Sequence, residues 1–260
     1  MATVVMTSRF TTVVQGSFYF CTSCAVCKTV PKNLRGRNKS SQDWLTRQLN
    51  DPYVKLAKQH QYRARSAFKL IEIDKQCHLL QPGQVVVECG AAPGAWTQVA
   101  VMGVNSLPHA RNKSQGMVIG IDLQSIHPLA GATLLGGRDF TSPQTQQQVL
   151  ELISNRKQID VVLSDMAPKA SGIKDLDHEN IISLAYAALG FAVQNTAGGG
   201  SFLCKVWEGF LTQQLINDMK KSYRTVKVVK PPASRGDSSE KFLVGKELFH
   251  EPYNTECDTA

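Results

Sequence analysis

From residue 85 onward, the apolar positions fall into short unbroken runs separated by longer stretches of mixed polarity. "VVVEC" (85–89), "MVIGI" (117–121), "ATLLG" (132–136), "IDVVL" (159–163), "SFLCKV" (201–206), "TVKVV" (225–229) and "KFLVGK" (241–246) have the length and β-branched content of strands. Between them, residues near 95–104, 143–156, 178–196 and 210–221 carry apolar residues at helical spacing. Short strands alternating with helices predict βαβ units, and so an α/β fold with a mostly parallel seven-stranded sheet and flanking helices. The last two strands have no helix between them, which predicts an antiparallel hairpin at the end of the sheet. Two helices precede the first strand. One opens at Ser40 and Ser41 and carries Trp44 and Leu45; the other spans roughly 62–76. "GVNSLPHARNKSQG" (103–116) reads as an inserted surface loop, and no internal repeat is present.

The start of the chain departs from this pattern. No acid occurs before Asp43, whereas Arg9, Lys28, Lys32, Arg35, Arg37 and Lys39 do. A basic, Ser/Thr-rich, acid-free segment has the composition of an organelle-import presequence; a disordered basic RNA-binding tail is the alternative. Residues 1–38 are therefore expected to be a disordered mitochondrial presequence, 39–250 the folded domain and 251–260 a disordered tail.

Composition narrows the partners. The formal net charge is +8 and the pI near 9.1, which favours a polyanion such as nucleic acid. No apolar run is long enough to span a bilayer, so no membrane insertion is expected. Cys21, Cys24 and Cys27 stand at metal-ligand spacing, but no second Cys/His pair completes a zinc site, and no metal is expected. Cys77, Cys89, Cys204 and Cys257 are scattered, as suits free thiols in a reduced compartment.

The first strand runs into a glycine-rich turn, "GAAPGAW" (90–96). In open α/β sheets ligands sit beyond the carboxyl ends of the strands. The turn lacks the middle glycine of a dinucleotide fingerprint, and Pro93 removes an amide that a phosphate could use. Both features make a nicotinamide dehydrogenase the weakest candidate. Acids stand at successive strand ends: Glu88, Asp122, Asp139 and Asp165. Asp122 is placed to bind a ribose hydroxyl pair, and Asp139 could accept from an adenine amino group. The set reads as a site for a nucleoside that carries positive charge, which describes S-adenosylmethionine. A tight strand–helix turn without a ligand is the plainer alternative.

The stretches "RARSAFKL", "GAAPGAW", "GID", "LSDMAP", "GGSFLCKVW" and "KPPASRGDSSEKFLV" together resemble the FtsJ-type ribosomal RNA 2′-O-ribose methyltransferases, over residues 41–248. "DWLTRQLNDPYVKLAKQHQYR" and "DLDH" resemble the eukaryotic mitochondrial members of that family. The resemblance implies a Rossmann-like methyltransferase fold and a Lys-Asp-Lys-Glu tetrad at Lys69, Asp165, Lys205 and Glu240. It implies S-adenosylmethionine contacts from the turn residues Gly90, Pro93, Gly94, Ala95 and Trp96 and from Asp122, Asp139 and Asp165. It also implies methylation of a uridine in mitochondrial large-subunit rRNA, within a pre-ribosomal particle in the matrix, by a monomeric enzyme. A methyltransferase acting on tRNA or cap RNA, and a non-catalytic ribosome-assembly factor, are the rival readings. The chain departs from the family pattern at Glu88, where Asp is usual, and at Lys169, where Asn is usual after "SDMAP".

The residues carry this chemistry on their own terms. A ribose hydroxyl is a poor nucleophile until its proton is removed. Lys205 lies in an apolar strand, where an ammonium without a partner is costly. It is the candidate base, with Asp165 orienting it and Lys69 and Glu240 positioning the ribose. Lys58, Arg63, Arg65 and Lys69, with Tyr62 among them, form a basic strip for which phosphate contact is expected, a solvated helix face being the alternative. Arg235 and Lys241, flanking Glu240, could serve the same end.

Overall fold

The computed structural model describes residues 36, 38–107, 114–153 and 158–249. The expected presequence, apart from Gly36 and Asn38, the three clustered cysteines and the expected tail lie outside the described residues. The chain divides into two units, Met1–Asn50 and Asp51–Ala260. In the first, α1 spans Lys39–Asn50, and the Asn38 side chain accepts from the Ser41 amide at 2.9 Å to cap it.

The second unit runs α2 (Pro52–Gln59), α3 (Ala67–Cys77), β1 (Val85–Cys89), α4 (Ala95–Gly103), β2 (Met117–Asp122), β3 (Ala132–Gly136), α5 (Pro143–Ile153), β4 (Ile159–Ser164), α6 (Lys174–Asn195), β5 (Thr196–Trp207), α7 (Thr212–Ser222), β6 (Tyr223–Val229) and β7 (Glu240–Leu248). The sheet order is β3-β2-β1-β4-β5-β7-β6. The first five strands in that order are parallel, and β7 runs antiparallel to both its neighbours. The hairpin expected at the chain end is present, with its second strand inserted between β5 and β6.

Each face of the sheet is covered, which is why strands such as β1 are apolar at nearly every position. Val85, Val87 and Cys89 point into a core shared with Val149 of α5, Ile181 of α6 and Leu215 of α7. Val86, Leu163, Leu203 and Phe242 pack on the other face with Leu70 of α3 and Trp96 of α4.

Two local features differ from expectation. The helix expected over 62–76 forms only from Ala67, because 62–66 make turns. A further helix, α2, precedes it. Asp51 caps that helix by accepting from the Tyr53 amide at 3.0 Å, and Pro52 occupies its first turn, where its missing N–H costs nothing.

Candidate active site

The turn after β1 is built by its glycines. Gly90 has φ +81°, and a side-chain carbon there would come within 2.8 Å of the Met166 amide nitrogen. Gly94 caps α4 at φ +101°, with the Arg63 guanidinium 2.6 Å from where a Cβ would stand. Only glycine allows both the backbone shape and these approaches.

Beyond the turn lies a cavity of about 860 Å³, at the carboxyl ends of β1, β2, β4 and β5. Gly90, Ala92, Asp122, Asp139, Asp165 and Lys205 line it, and Asn180, Ser183 and Leu184 of α6 close one side. The Asp122 carboxylate accepts from the Ala92 amide at 2.8 Å and the Gln124 amide at 2.7 Å, so it fixes the turn while facing the cavity. Asp139 accepts from the Thr141 amide and hydroxyl through one oxygen, at 2.9 and 2.7 Å. A smaller hollow of about 450 Å³ opens at the starts of β2 and β3, lined by residues such as Ser106 and Thr133, away from these carboxylates.

Pro93, Gly94, Ala95 and Trp96 do not line the cavity. Ala95 and Trp96 are core residues, and the Trp96 indole donates to the Ser66 carbonyl at 2.8 Å. Glu88 is also withdrawn from it. It is 1% exposed and accepts from the Thr97 hydroxyl at 2.6 Å. Burial pushes its carboxyl up to about 8, with Asp165 and Asp122 adding to the rise and the Thr97 hydrogen bond opposing it. Glu88 is therefore an uncharged acid beneath the turn at neutral pH, which corrects its reading as negative charge offered to a ligand.

Four charged side chains converge above β5 and β7 as two ion pairs. Lys205 Nζ donates to the Asp165 carbonyl at 2.6 Å and lies 2.8 Å from Asp165 Oδ1. That oxygen is buried and accepts no hydrogen bond, so the contact is ionic and off the donor axis. Lys69 of α3 pairs with Glu240 at 2.7 Å, and the Ser234 hydroxyl donates to the same carboxylate at 2.8 Å. Trp207 stands opposite Glu240, and Lys205 opposite Phe242, in the β5–β7 ladder. Alternation along the strands puts Lys205 and Glu240 on one face as diagonal neighbours. Among the described residues no group of His, Cys, Asp and Glu is arranged to hold a metal ion.

The acids at the carboxyl edge and the double ion pair beside them stand where open α/β sheets bind their ligands. Residues 62–248 match the FtsJ-like methyltransferase family. The chain belongs to that family. It is 51% identical over 221 residues to the mitochondrial rRNA methyltransferase 2 of Drosophila melanogaster, covering 85% of this chain and 88% of that one. It is 47% identical over 217 residues to ribosomal RNA large subunit methyltransferase E of Roseobacter denitrificans, covering 84% and 89%. The crystal structure of a ribosomal RNA methyltransferase from Plasmodium falciparum superposes with a TM-score of 0.63 at 27% identity, over 72% of this chain and 99% of that one.

Within this FtsJ-like methyltransferase the basic strip is largely committed to the protein itself. Arg63 donates to the carbonyls of Pro93, His127 and Pro128 at 3.0, 2.7 and 2.7 Å. It staples the glycine turn to the segment after β2. Arg65 pairs with Asp51, donates to the Ala233 carbonyl and lies over the Tyr53 ring, its carbon 5.7 Å from the centroid. Arg235 lies 3.5 Å from Asp51, and Lys241 is paired with Glu208. Lys69 is paired with Glu240, leaving Lys58 exposed at the end of α2. Arg63 and Arg65 thus brace the protein itself, Arg63 through three carbonyls and Arg65 through Asp51 and the Ala233 carbonyl.

Sequence reasoning missed Thr97, Ser234 and the α6 wall of Asn180, Ser183 and Leu184. It also missed Glu72, which accepts from the Ala233 amide at 2.7 Å and the Tyr53 hydroxyl at 2.8 Å. The Glu72–Ala233 contact spans 161 residues of chain and leaves no local signal. Thr97 and Ser234 lie only nine and six residues from the carboxylates they bind, but as ordinary polar residues they form no motif.

Proposed function

We propose that the chain transfers a methyl group from S-adenosylmethionine to the 2′-hydroxyl of a uridine in mitochondrial large-subunit rRNA, within an assembling particle in the matrix. The observation that carries this reading is the juxtaposition of Lys205–Asp165 with Lys69–Glu240 at the rim of the acid-lined cavity. The names of its relatives, both rRNA methyltransferases and one mitochondrial, support the substrate and the compartment.

The cavity fits the cofactor. Asp122 already holds two amides, yet a carboxylate has about four acceptor positions, so it retains lone pairs for ribose hydroxyls. Only one oxygen of Asp139 is engaged by Thr141, which leaves the other for an exocyclic amine. Asp165 supplies the negative charge that a sulfonium requires. S-adenosylmethionine, when bound, supplies an electrophilic methyl carbon. Lys205 then takes the proton of the attacking hydroxyl, for which its neutral amine is needed, while Asp165 aims it. Lys69 and Glu240 hold each other and, through the shared face, the ribose.

The test is methyl transfer from labelled S-adenosylmethionine to mitochondrial large-subunit rRNA, with ribose methylation mapped in cells lacking the protein. Loss of one 2′-O-methyluridine is expected. An unchanged map would overturn the reading. Asp122→Asn should weaken cofactor binding in calorimetry without altering RNA affinity.

A further inference from the structure

The connection between β5 and α7 leaves the tetrad and immediately exposes an aromatic ring. Phe210 stands five residues beyond Lys205 and is 61% exposed, the most exposed phenylalanine among the described residues. A lone exposed apolar residue is ordinary on a protein surface. This one is held on a rigid mount. His178, 4% exposed in the first turns of α6, accepts from the Leu211 amide through Nε2 at 3.0 Å. Its other ring nitrogen lies 3.0 Å from the Trp207 carbonyl, which it can reach only as an N–H donor. One imidazole thus fixes both ends of the loop that carries Phe210. Gly209 lies so close that a Cβ would stand 2.7 Å from the imidazole, and its amide donates to the Thr212 hydroxyl at 3.1 Å. The Phe210 and His178 rings are 5.0 Å apart.

The mount is tied to the tetrad. The Glu208 amide donates to the Ser239 carbonyl at 2.9 Å, one residue before Glu240, and the Glu208 carboxylate pairs with Lys241, one residue after it. Because β4 and β5 are parallel neighbours, the Phe210 loop emerges beside the β4–α6 connection that walls the cavity. Lys169 on that connection and Lys174, the first residue of α6 and one turn before His178, are exposed, and neither is in an ion pair among the described residues. A fixed, solvent-facing aromatic beside exposed cations is what a single-stranded nucleic acid uses, through base stacking and phosphate attraction.

We propose that Phe210 is the stacking platform for a base of single-stranded RNA adjoining the ribose at Lys205, with Lys169 and Lys174 facing its phosphates. The proposal rests on the reading of RNA as substrate, and deepens it by assigning the base contact. Stacking on a side chain is lost with the ring and kept by any aromatic.

The direct readout is anisotropy of a fluorescein-labelled single-stranded RNA titrated with the full chain. Phe210→Ala should weaken binding roughly ten- to hundredfold, Phe210→Tyr should stay within about threefold of wild type, and Phe210→Leu should bind as weakly as Ala. Thermal melting and S-adenosylmethionine affinity should be unchanged, since the ring is exposed and lies outside the cofactor cavity. Wild-type affinity in Phe210→Ala, or full rescue by Leu, would overturn the proposal. If the wild type binds RNA through Phe210 but transfers no methyl group to rRNA, the proposed reaction fails and the stacking site stands.

Discussion

Lys69 and Glu240, 171 residues apart in sequence, meet at 2.7 Å with only 16% and 11% of their side chains exposed. Burial alone would raise the Glu240 carboxyl, but Lys69 outweighs it, aided by Ser234 and Lys205, and the net displacement is downward. A depressed carboxyl contributes stability above its unfolded pKa and loses it as pH falls through the folded value. Glu240→Gln should therefore cost about 3 kcal/mol near neutrality, by leaving a partly buried ammonium without its partner. The difference from wild type should shrink below about pH 4. Urea denaturation at pH 7 and pH 3.5 checks this, and adding Lys69→Met should recover part of the loss.

Lys205 offers a sharper separation of roles. Lys205→Ala should retain cofactor and RNA affinity while single-turnover methyl transfer falls about 10²–10⁴-fold, the usual cost of losing a general base. Arginine should not rescue, because a guanidinium stays protonated and cannot accept the proton. Substantial transfer by Lys205→Arg would make the side chain a charge clamp and move the base elsewhere.

The buried acid beneath the turn gives a pH signature of opposite sign. Glu88 rises from 4.5 to about 8, so its stabilising contribution is complete below the lower value and lost as pH climbs to the upper one. Across that window wild type should lose up to about 1.4 kcal/mol per pH unit relative to Glu88→Gln. The amide can still accept from Thr97. A flat difference between the two proteins from pH 5 to pH 8 would mean that Glu88 is ionised in the fold.

Arg63 should behave as a brace. Arg63→Ala, which removes three hydrogen bonds from a charged donor, should lower stability by about 2 kcal/mol and weaken S-adenosylmethionine binding. Lysine should restore little, because a point charge cannot replace a planar fork. The slope of log RNA affinity against log salt should match wild type; a shallower slope would return Arg63 to the phosphates.

The strands were legible because both faces of the sheet are covered, which turns each strand into an apolar run that spacing detects. The hairpin was legible from a missing helix, and the four side chains that meet as Lys69–Glu240 and Lys205–Asp165 from the resemblance of their motifs. Arg63 and Arg65 were not, because a linear pattern shows cations but not the carbonyls of Pro93, His127, Pro128 and Ala233 that claim them. Glu88 misled for a related reason. An acid at a strand end faces either the ligand or the core, and only Thr97, folded beneath it, decides which. The helix at Pro52–Gln59 escaped because its proline resembles a breaker until Asp51 is seen to cap it.

The insertion of β7 between β5 and β6 has a consequence in time. Lys69, Asp165 and Lys205 all lie before Glu240, which enters on the last strand of the sheet. Until that strand slots into place, Lys69 lacks its carboxylate and β5 has an open edge where β7 should pair. A chain emerging from the ribosome cannot close the Lys69–Glu240 pair before nearly the whole domain is free. Every shortened product ending before residue 240 lacks the Lys69–Glu240 ion pair and leaves the edge of β5 unpaired.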